Sequence, residues 1–274
     1  MSTENTFLST NTRRIALGVE YVGQSFRGWQ VQQPGVVTVQ GCLEKALSKV
    51  ANHPITVICA GRTDAGVHGI GQVVHFDTIA VREARSWVMG SNANLPDSIA
   101  IRWVQPVPIE FHARFSALAR RYRYIIVNRP FRSALTAKRA TWHYHRLDAD
   151  KMRQAAQVLI GEHDFSAYRA QGCQSRTPMR SIYALDIERR GDFIVLEVEA
   201  NGFLHHMVRN IAGVLMAIGQ GERPVDWAAE VLASRNRTCG GVTASPDGLY
   251  FLHVRYPRVY NLPNHNRIPA LDLL

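Results

Sequence analysis

Strand and helix patterns follow one another in the order βαββαβ, and the chain contains this order twice. No other feature limits its possible folds as strongly. In the first half, apolar spacing predicts four strands and two helices, with Thr38 as a helix N-cap. The strands are at 14–22, 55–60, 71–78 and 99–107, and the helices are at 39–51 and 82–95. This order is typical of a ferredoxin-like unit.

The second half follows a similar order with one additional helix. Its patterns predict strands at 120–128, 181–190, 193–200 and 248–256 and helices at 148–161, 203–221 and 225–233. We therefore expect an α+β protein built from two ferredoxin-like, RRM-like halves, although no residue-level repeat is visible. The predicted division places an N-terminal domain at residues 1–113 and a C-terminal domain at 114–274.

The charge pattern indicates an anionic partner. The chain has 32 Lys and Arg against 22 Asp and Glu, a formal net charge of +10. Arg outnumbers Lys by 28 to 4, which suits phosphate binding but can equally follow from a GC-rich genome. The stretch between Glu110 and Asp148 contains nine basic residues and no acid. Because a solvated face normally mixes both signs, we expect an anion-binding face here, with nucleic acid favoured over a membrane surface.

The sequence shows no pattern typical of a metal site, a disulfide framework or a membrane-spanning segment. The four cysteines form no CxxC pair, which fits a reducing cytoplasm. The polar N-terminus lacks a signal-peptide core, and the longest apolar stretch, 211–218, is far shorter than the roughly 20 residues that span a bilayer. His205 and His206 lie on a predicted helix, where neighbours diverge by about 100°. We therefore expect them to pack or form hydrogen bonds rather than share a metal ion.

The stretch CAGRTDAGVH, residues 59–68, leaves two interpretations of Asp64 open. An acid bounded by Gly61 and Gly66 is typical of a turn. Asp64 also lies in a loop between two predicted strands, two positions after Arg62, and functional residues concentrate in such loops. Local spacing favours the turn and does not exclude an active-site acid.

Three longer motifs bear on that question: GRTDAGVHG at 61–69, ARRYRY at 119–124 and NGFLHHMVRNIAG at 201–213. Together they resemble the tRNA pseudouridine synthase A family, and the resemblance extends over about residues 14–257. It implies two α+β halves around a cleft, with a central mixed, mostly antiparallel sheet. It also implies isomerisation of uridine to pseudouridine at positions 38, 39 and 40 of tRNA, without cofactor or metal, by a homodimer that cradles the tRNA.

The resemblance assigns the chemistry to three residues. Asp64 matches the catalytic aspartate, which can attack C1′, add to C6 of the base or abstract the 2′ proton, and the sequence leaves these routes open. Arg209 matches a partner that keeps the shielded carboxylate ionised, and a bidentate contact would also fix its rotamer. Tyr122 matches the active-site tyrosine, which would stack on the uracil and assist removal of the C5 proton.

Further residues are expected to bind the substrate. Leu249 resembles the apolar residue that packs against the target base. The target uridine must be turned out of its stack, and Arg62 is the residue we expect to occupy the vacated space. Strand alternation puts Tyr122 on one face and Arg121 and Arg123 on the other. The arginines expected to hold phosphates are Arg114, Arg121, Arg123, Arg169 and Arg176.

Two other functions remain open on the residues alone. A non-catalytic RNA-binding protein of two RRM-type modules would normally show aromatic-rich motifs on two strands, and neither half has one clearly. A nucleoside or glycosyl hydrolase would normally use two carboxylates, whereas the residues near Asp64 and Tyr122 supply one. Neither alternative accounts for the motifs as well as the isomerase does.

Overall fold

One sheet of ten strands runs through both halves of the part of the chain that this computed structural model describes, residues 12–263. The strands are β1 Arg13–Tyr21, β2 Ile58–Cys59, β3 His68–Thr78, β4 Ile99–Val107, β5 Ala119–Asn128, β6 Thr141–His143, β7 Gly161–Asp164, β8 Met179–Arg190, β9 Phe193–Ala200 and β10 Leu249–Arg255. The helices are α1 Val39–Ala51, α2 Ala84–Asn92, α3 Ala149–Ala156, α4 Met207–Gly219 and α5 Trp227–Ser234.

The strand order confirms the predicted fold class. The sheet runs β4-β1-β3-β10-β5-β9-β8-β7, with β2 paired to β3 and β6 paired to β5. Within each half, the four strands of the βαββαβ unit lie in the order fourth, first, third, second, as in a ferredoxin-like sheet. All pairs are antiparallel except β5 with β6 and β10 with β3. The β10–β3 pair joins the two halves into one mixed, mostly antiparallel sheet.

Helix α1 shows why these elements form where they do. Thr38 caps it by accepting a hydrogen bond from the Gly41 N–H, and Asn52 ends it in the left-handed conformation. Its buried face, which includes Leu43 and Leu47, packs into the core of the first half. Helices α3, α4 and α5 cover the second half and contribute to a larger core that also includes Tyr122.

Several predicted boundaries were wrong, and three of the differences bear on the fold. The helix expected at 203–221 begins only at Met207, because His206 has a left-handed backbone with φ 60° and ψ 6°. The helix expected at 148–161 ends already at Ala156. The segment 161–164, for which no strand was predicted, forms β7 against β8. The strand expected at 55–60 is only two residues long.

The division at residue 113 stays a prediction. The sheet continues through both halves without interruption, and α4 of the second half faces the loop between β2 and β3 of the first. Among the described residues, no helix is both long enough and apolar enough to cross a bilayer.

Candidate active site

The loop between β2 and β3 is bonded to its surroundings along its whole length. The Gln72 side chain pairs with both backbone groups of Gly61. The carbonyl of Thr63 accepts a hydrogen bond from the Trp29 N–H at 3.0 Å, and its hydroxyl lies 2.8 Å from that of Tyr21. These contacts leave the loop little freedom, so they fix the position of the residue that follows, Asp64.

Asp64 forms the tight turn that one of the two interpretations predicts, and the turn leaves the other interpretation open. Its backbone carbonyl accepts a hydrogen bond from the Val67 N–H at 3.2 Å, which closes a tight turn. Gly66 has φ +82°, a conformation that glycine adopts without strain. Because the turn uses the carbonyl of Asp64, its carboxylate is left available to other groups.

Three nitrogen-bearing side chains converge on that carboxylate. Arg209 Nη1 lies 3.3 Å from Oδ2, His206 Nε2 lies 3.4 Å from Oδ2, and His205 Nε2 lies 3.5 Å from Oδ1. The Asp64 side chain is 22% exposed and that of Arg209 is 14% exposed. The site therefore pairs a partly desolvated carboxylate from the first half with three partners from the second.

The prediction that His205 and His206 diverge on a helix was wrong. Both residues precede α4, and the left-handed backbone of His206 brings the two rings together, with centroids 4.0 Å apart. The divergence of about 100° between neighbouring side chains holds only within a helix, and neither residue is helical. Of the site residues, these two are the ones that sequence reasoning placed incorrectly, and the adjacent histidines themselves were the available signal.

The contact between Arg209 and Asp64 is single rather than the bidentate pair that was expected. Arg209 Nε donates to the carbonyl of Ala244 at 2.8 Å, which leaves Nη1 for the carboxylate. The Ala244 N–H in turn donates to the Arg209 carbonyl at 3.2 Å. Arg209 is thus fixed by the segment before β10, and the carboxylate receives a charge-assisted hydrogen bond from a guanidinium that is held in place.

Tyr122 lies in the core beside the loop of Asp64. Its ring makes edge contacts with Phe203 and Phe251, at centroid distances of 5.0 and 4.9 Å. Burial, followed by the neighbouring Tyr21 and Asp64, raises the pKa of the Tyr122 hydroxyl well above its usual value. The hydroxyl therefore keeps its proton at neutral pH. Tyr122 is buried and Arg121 exposed, as strand alternation predicted.

Leu249 begins β10, opposite Tyr124 of β5, and is 5% exposed. The segment before it reaches both sides of the site. Ala244 bonds to Arg209, and Pro246 packs against Gly66 of the Asp64 turn. Leu249 therefore lies at the end of a segment that contacts Arg209 and the turn of Asp64.

The predicted RNA-binding arginines fall into two groups. Arg62, Arg114 and Arg176 are exposed and Arg169 is half-buried. Arg62 and the segment of Arg169 and Arg176 lie beside the site, because Arg62 contacts Gln174 and the Ala170 N–H donates to the His205 carbonyl. Arg121 and Arg123 lie on the opposite face of β5, and each is paired with a carboxylate of β9, Glu199 and Glu197 respectively.

Sequence reasoning did not identify the role of Arg120. Its guanidinium donates to the carbonyls of Ala60, Arg114 and Asn201, and so connects the loop of Asp64 to the second half. Burial lowers the pKa of Arg120 from its usual value. His68 has a comparable role, because its ring bonds to Gly23 and to the carbonyls of Lys138 and Asp247. Their positions in the GRTDAGVHG and ARRYRY motifs were the only signal.

Asp64, His205 and His206 could also be considered as metal ligands. One donor atom from each lies within 4.8 Å of the other two, a spacing that a transition metal ion can bridge. The Arg209 guanidinium, however, contacts the same carboxylate at 3.3 Å, and its fixed positive charge opposes a metal ion there. The arrangement suits an ionised carboxylate better than a bound cation.

Comparisons of the sequence with a family model and with curated proteins point to the same family. The chain matches the family model described as tRNA pseudouridine synthase over residues 18–116 and 155–257. It is 57% identical over 251 residues to tRNA pseudouridine synthase A of Alcanivorax borkumensis, covering 92% of this chain and 94% of the relative. It is 59% identical over 254 residues to the protein of the same name from Nitrosococcus oceani, covering 93% and 98%. With that of Pseudomonas aeruginosa the identity is 57% over 250 residues, covering 91% and 88%.

Proposed function

This chain belongs to the tRNA pseudouridine synthase family, and we propose that it isomerises uridines 38, 39 and 40 in the anticodon arm of tRNA, with Asp64 as nucleophile or base. It is an isomerase that acts on uridine in tRNA, and its target positions and catalytic residues are the new part of the proposal. One observation carries it: the Asp64 carboxylate faces Arg209, His205 and His206 at 3.3–3.5 Å.

The reaction needs one well-placed carboxylate. The N1–C1′ bond breaks, the uracil turns while bound, a C5–C1′ bond forms and the C5 proton leaves, so that no atoms are gained or lost. Asp64 starts this sequence by attacking C1′, adding to C6 or taking the 2′ proton. Arg209 holds the carboxylate by a charge-assisted contact.

Tyr122 assists at the other end of the reaction. Its buried phenol packs against Phe203 and Phe251, and we propose that its ring edge and hydroxyl face the uracil. Because the hydroxyl is protonated at neutral pH, we propose that it assists removal of the C5 proton by a hydrogen bond to the uracil and does not itself act as the base. Leu249 is the proposed apolar contact of the turned-out base.

The exposed arginines around the site account for substrate binding in this proposal. Extruding a stacked uridine costs about a few kcal/mol, which phosphate contacts must offset. Arg114, Arg169 and Arg176 are the proposed phosphate ligands, and Arg62 is proposed to fill the vacated stack. Since Arg121 and Arg123 already pair with β9 carboxylates on the other face, we expect them to contribute less.

Position mapping tests the proposal. The protein is incubated with transcripts of one tRNA that retain a single anticodon-arm uridine, at position 38, 39 or 40, and with a transcript whose only arm uridine is in the opposite strand of the stem. We expect pseudouridine at each of the first three and none in the last. Modification confined to uridines outside the anticodon arm would overturn the proposed positions. Asp64→Asn in parallel separates the choice of position from the role of the acid.

The family resemblance also leads us to propose a homodimer that acts in the cytoplasm. Light scattering of the purified protein, alone and with tRNA, measures its oligomeric state. A molecular mass of one chain, about 31 kDa, at enzyme concentrations that support turnover would contradict it.

A further inference from the structure

His206 has an unusual backbone for its residue type. With φ 60° and ψ 6° it occupies the left-handed region, which glycine adopts freely and other L-residues adopt at a cost. It immediately precedes α4, yet its side chain makes no capping hydrogen bond to the helix. Helix capping therefore does not offset the energetic cost of this backbone conformation. Strained backbone of this kind is found most often at functional sites.

The strained conformation does have a consequence for Asp64. It lets the side chains of two successive residues reach the same carboxylate, His205 at Oδ1 and His206 at Oδ2. In a continuous helix these two side chains would diverge by about 100°. His206 is the less exposed of the two, at 27% against 44%, and it contacts the oxygen that Arg209 also contacts.

We infer that His206 is a positioning residue for the isomerisation, which uses its left-handed backbone to hold the Asp64 carboxylate with an Nε2–H donor. This inference rests on the proposed role of Asp64. Arg209 supplies the fixed charge at the same oxygen, and His206 supplies a second direction of restraint. Together the two contacts restrain Oδ2 from two directions, whereas the contact from Arg209 alone restrains it from one.

The charge state of His206 follows from the groups that face it. These are Asp64 from the loop, His205 beside it, Arg209 of α4 and Arg237 after α5. Burial lowers the pKa of His206 from its usual value, and the two arginines and His205 act in the same direction, while Asp64 opposes them. At neutral pH His206 is therefore uncharged, and the inference places its proton on Nε2, the nitrogen 3.4 Å from Oδ2. Its protonation in acid would add a second full positive charge against the carboxylate and make it less reactive.

Two substitutions separate positioning from a structural role. His206→Gly accepts the left-handed backbone without strain but removes the donor. His206→Gln keeps a donor at about the reach of Nε2 and does not titrate at these pH values. If His206 were only structural, glycine would be the better tolerated of the two. If it positions Asp64, glutamine would be.

The readout is kcat and KM for tritium release from tRNA labelled at uridine C5, across pH 5–8, with melting temperatures for each variant. We expect His206→Gly to melt no lower than the wild type and to lose about tenfold in kcat, the value of one hydrogen bond of about 1.4 kcal/mol, at unchanged KM. His206→Gln should recover most of the rate and lack the acid-side decline that protonation of His206 causes. Wild-type rates for His206→Gly, or equal losses in both variants, would overturn the inference.

The same assay distinguishes this failure from a failure of the proposed function. If the wild-type protein releases tritium and Asp64→Asn does not, the role of Asp64 stands, whatever the His206 variants do. If Asp64→Asn retains the wild-type rate, the proposed function fails and the inference about His206 fails with it.

Discussion

Asp64 and Arg209 are 145 positions apart in the chain, and the guanidinium Nη1 of Arg209 lies 3.3 Å from Oδ2 of Asp64. The first residue lies in the loop between β2 and β3 of the N-terminal half, and the second lies in the first turn of α4 in the C-terminal half. The proposed catalytic carboxylate and its charged partner thus come from different halves, so the site exists only when both halves are folded against each other.

Replacing Arg209 tests the value of that contact. In Arg209→Leu the carboxylate keeps only the two imidazoles, and we expect kcat to fall about 100-fold while the Kd for tRNA changes by less than about threefold, since a buried charged pair is broken but no phosphate contact is lost. The kcat of Arg209→Lys should lie between those of the wild type and Arg209→Leu, because lysine keeps the charge but not the Nε–H that bonds to Ala244. Single-turnover kinetics with a filter-binding assay provide both values.

The matched control is Arg153→Leu, which removes an exposed ion pair with Asp150 on α3. Exposed pairs of this kind contribute little, so its rate should equal that of the wild type. An unchanged rate in Arg209→Leu would remove Arg209 from the site.

Gly28 offers a test of how tightly the Asp64 loop must be held. It has φ +93°, and an added Cβ would lie 2.9 Å from the Thr63 carbonyl, one residue before Asp64. Gly35 has a similar φ of +89° but no atom within 4 Å of an added Cβ. Alanine at either position should cost about 1–2 kcal/mol of stability from the backbone alone. Only Gly28→Ala should also lose at least about tenfold in kcat, as measured in the tritium-release assay below the melting transition of both variants. Equal rates would show that the loop tolerates displacement.

Local patterns predicted the long elements of the fold because alternation and helical spacing report burial directly. Strands β4 and β9 have the predicted limits, whereas β6 and β7, three and four residues long, are too short to show a period. The apolar spacing of FLHHMV continues that of α4, so the pattern contains nothing that reveals the left-handed His206. The approach of Arg209 to Asp64 is a long-range contact that local periodicity does not encode, and only the family resemblance suggested it.

Salt should weaken tRNA binding steeply. Each phosphate contact releases counterions, so the slope of log K against log salt reports the number of contacts. Arg114→Ala and Arg176→Ala should each reduce its magnitude by about one. Arg121→Ala should change it less, because that guanidinium lies 2.6 Å from Glu199 Oε2. A slope near zero for the wild type would contradict a basic RNA-binding face.

Acid should destabilise the fold through His75. Burial, and next the nearby Arg14, lowers the pKa of His75 to about 4 from its usual 6.5. Between these values the unfolded chain binds a proton that the folded chain does not, so stability falls as pH falls from about 6.5 towards 4, by about 3 kcal/mol from this group. His75→Asn keeps an acceptor for the Ala113 N–H and cannot be protonated in this range.

Urea unfolding at pH 5 and pH 7 measures this difference. His75→Asn should lose less stability between the two values than the wild type, while the exposed His145→Asn should match the wild type. The same loss in His75→Asn as in the wild type would mean that other groups cause the acid sensitivity.

The most direct test of the central claim uses tRNA tritiated at uridine C5 and compares the wild type with Asp64→Asn, which preserves the shape of the side chain but removes its charge. Tritium release into water is measured together with the Kd for tRNA on the same preparations. We expect the wild type to release one tritium for each pseudouridine formed, and Asp64→Asn to release none while binding tRNA with nearly unchanged affinity. Release by Asp64→Asn at the wild-type rate would contradict the assignment of Asp64 as the catalytic nucleophile or base.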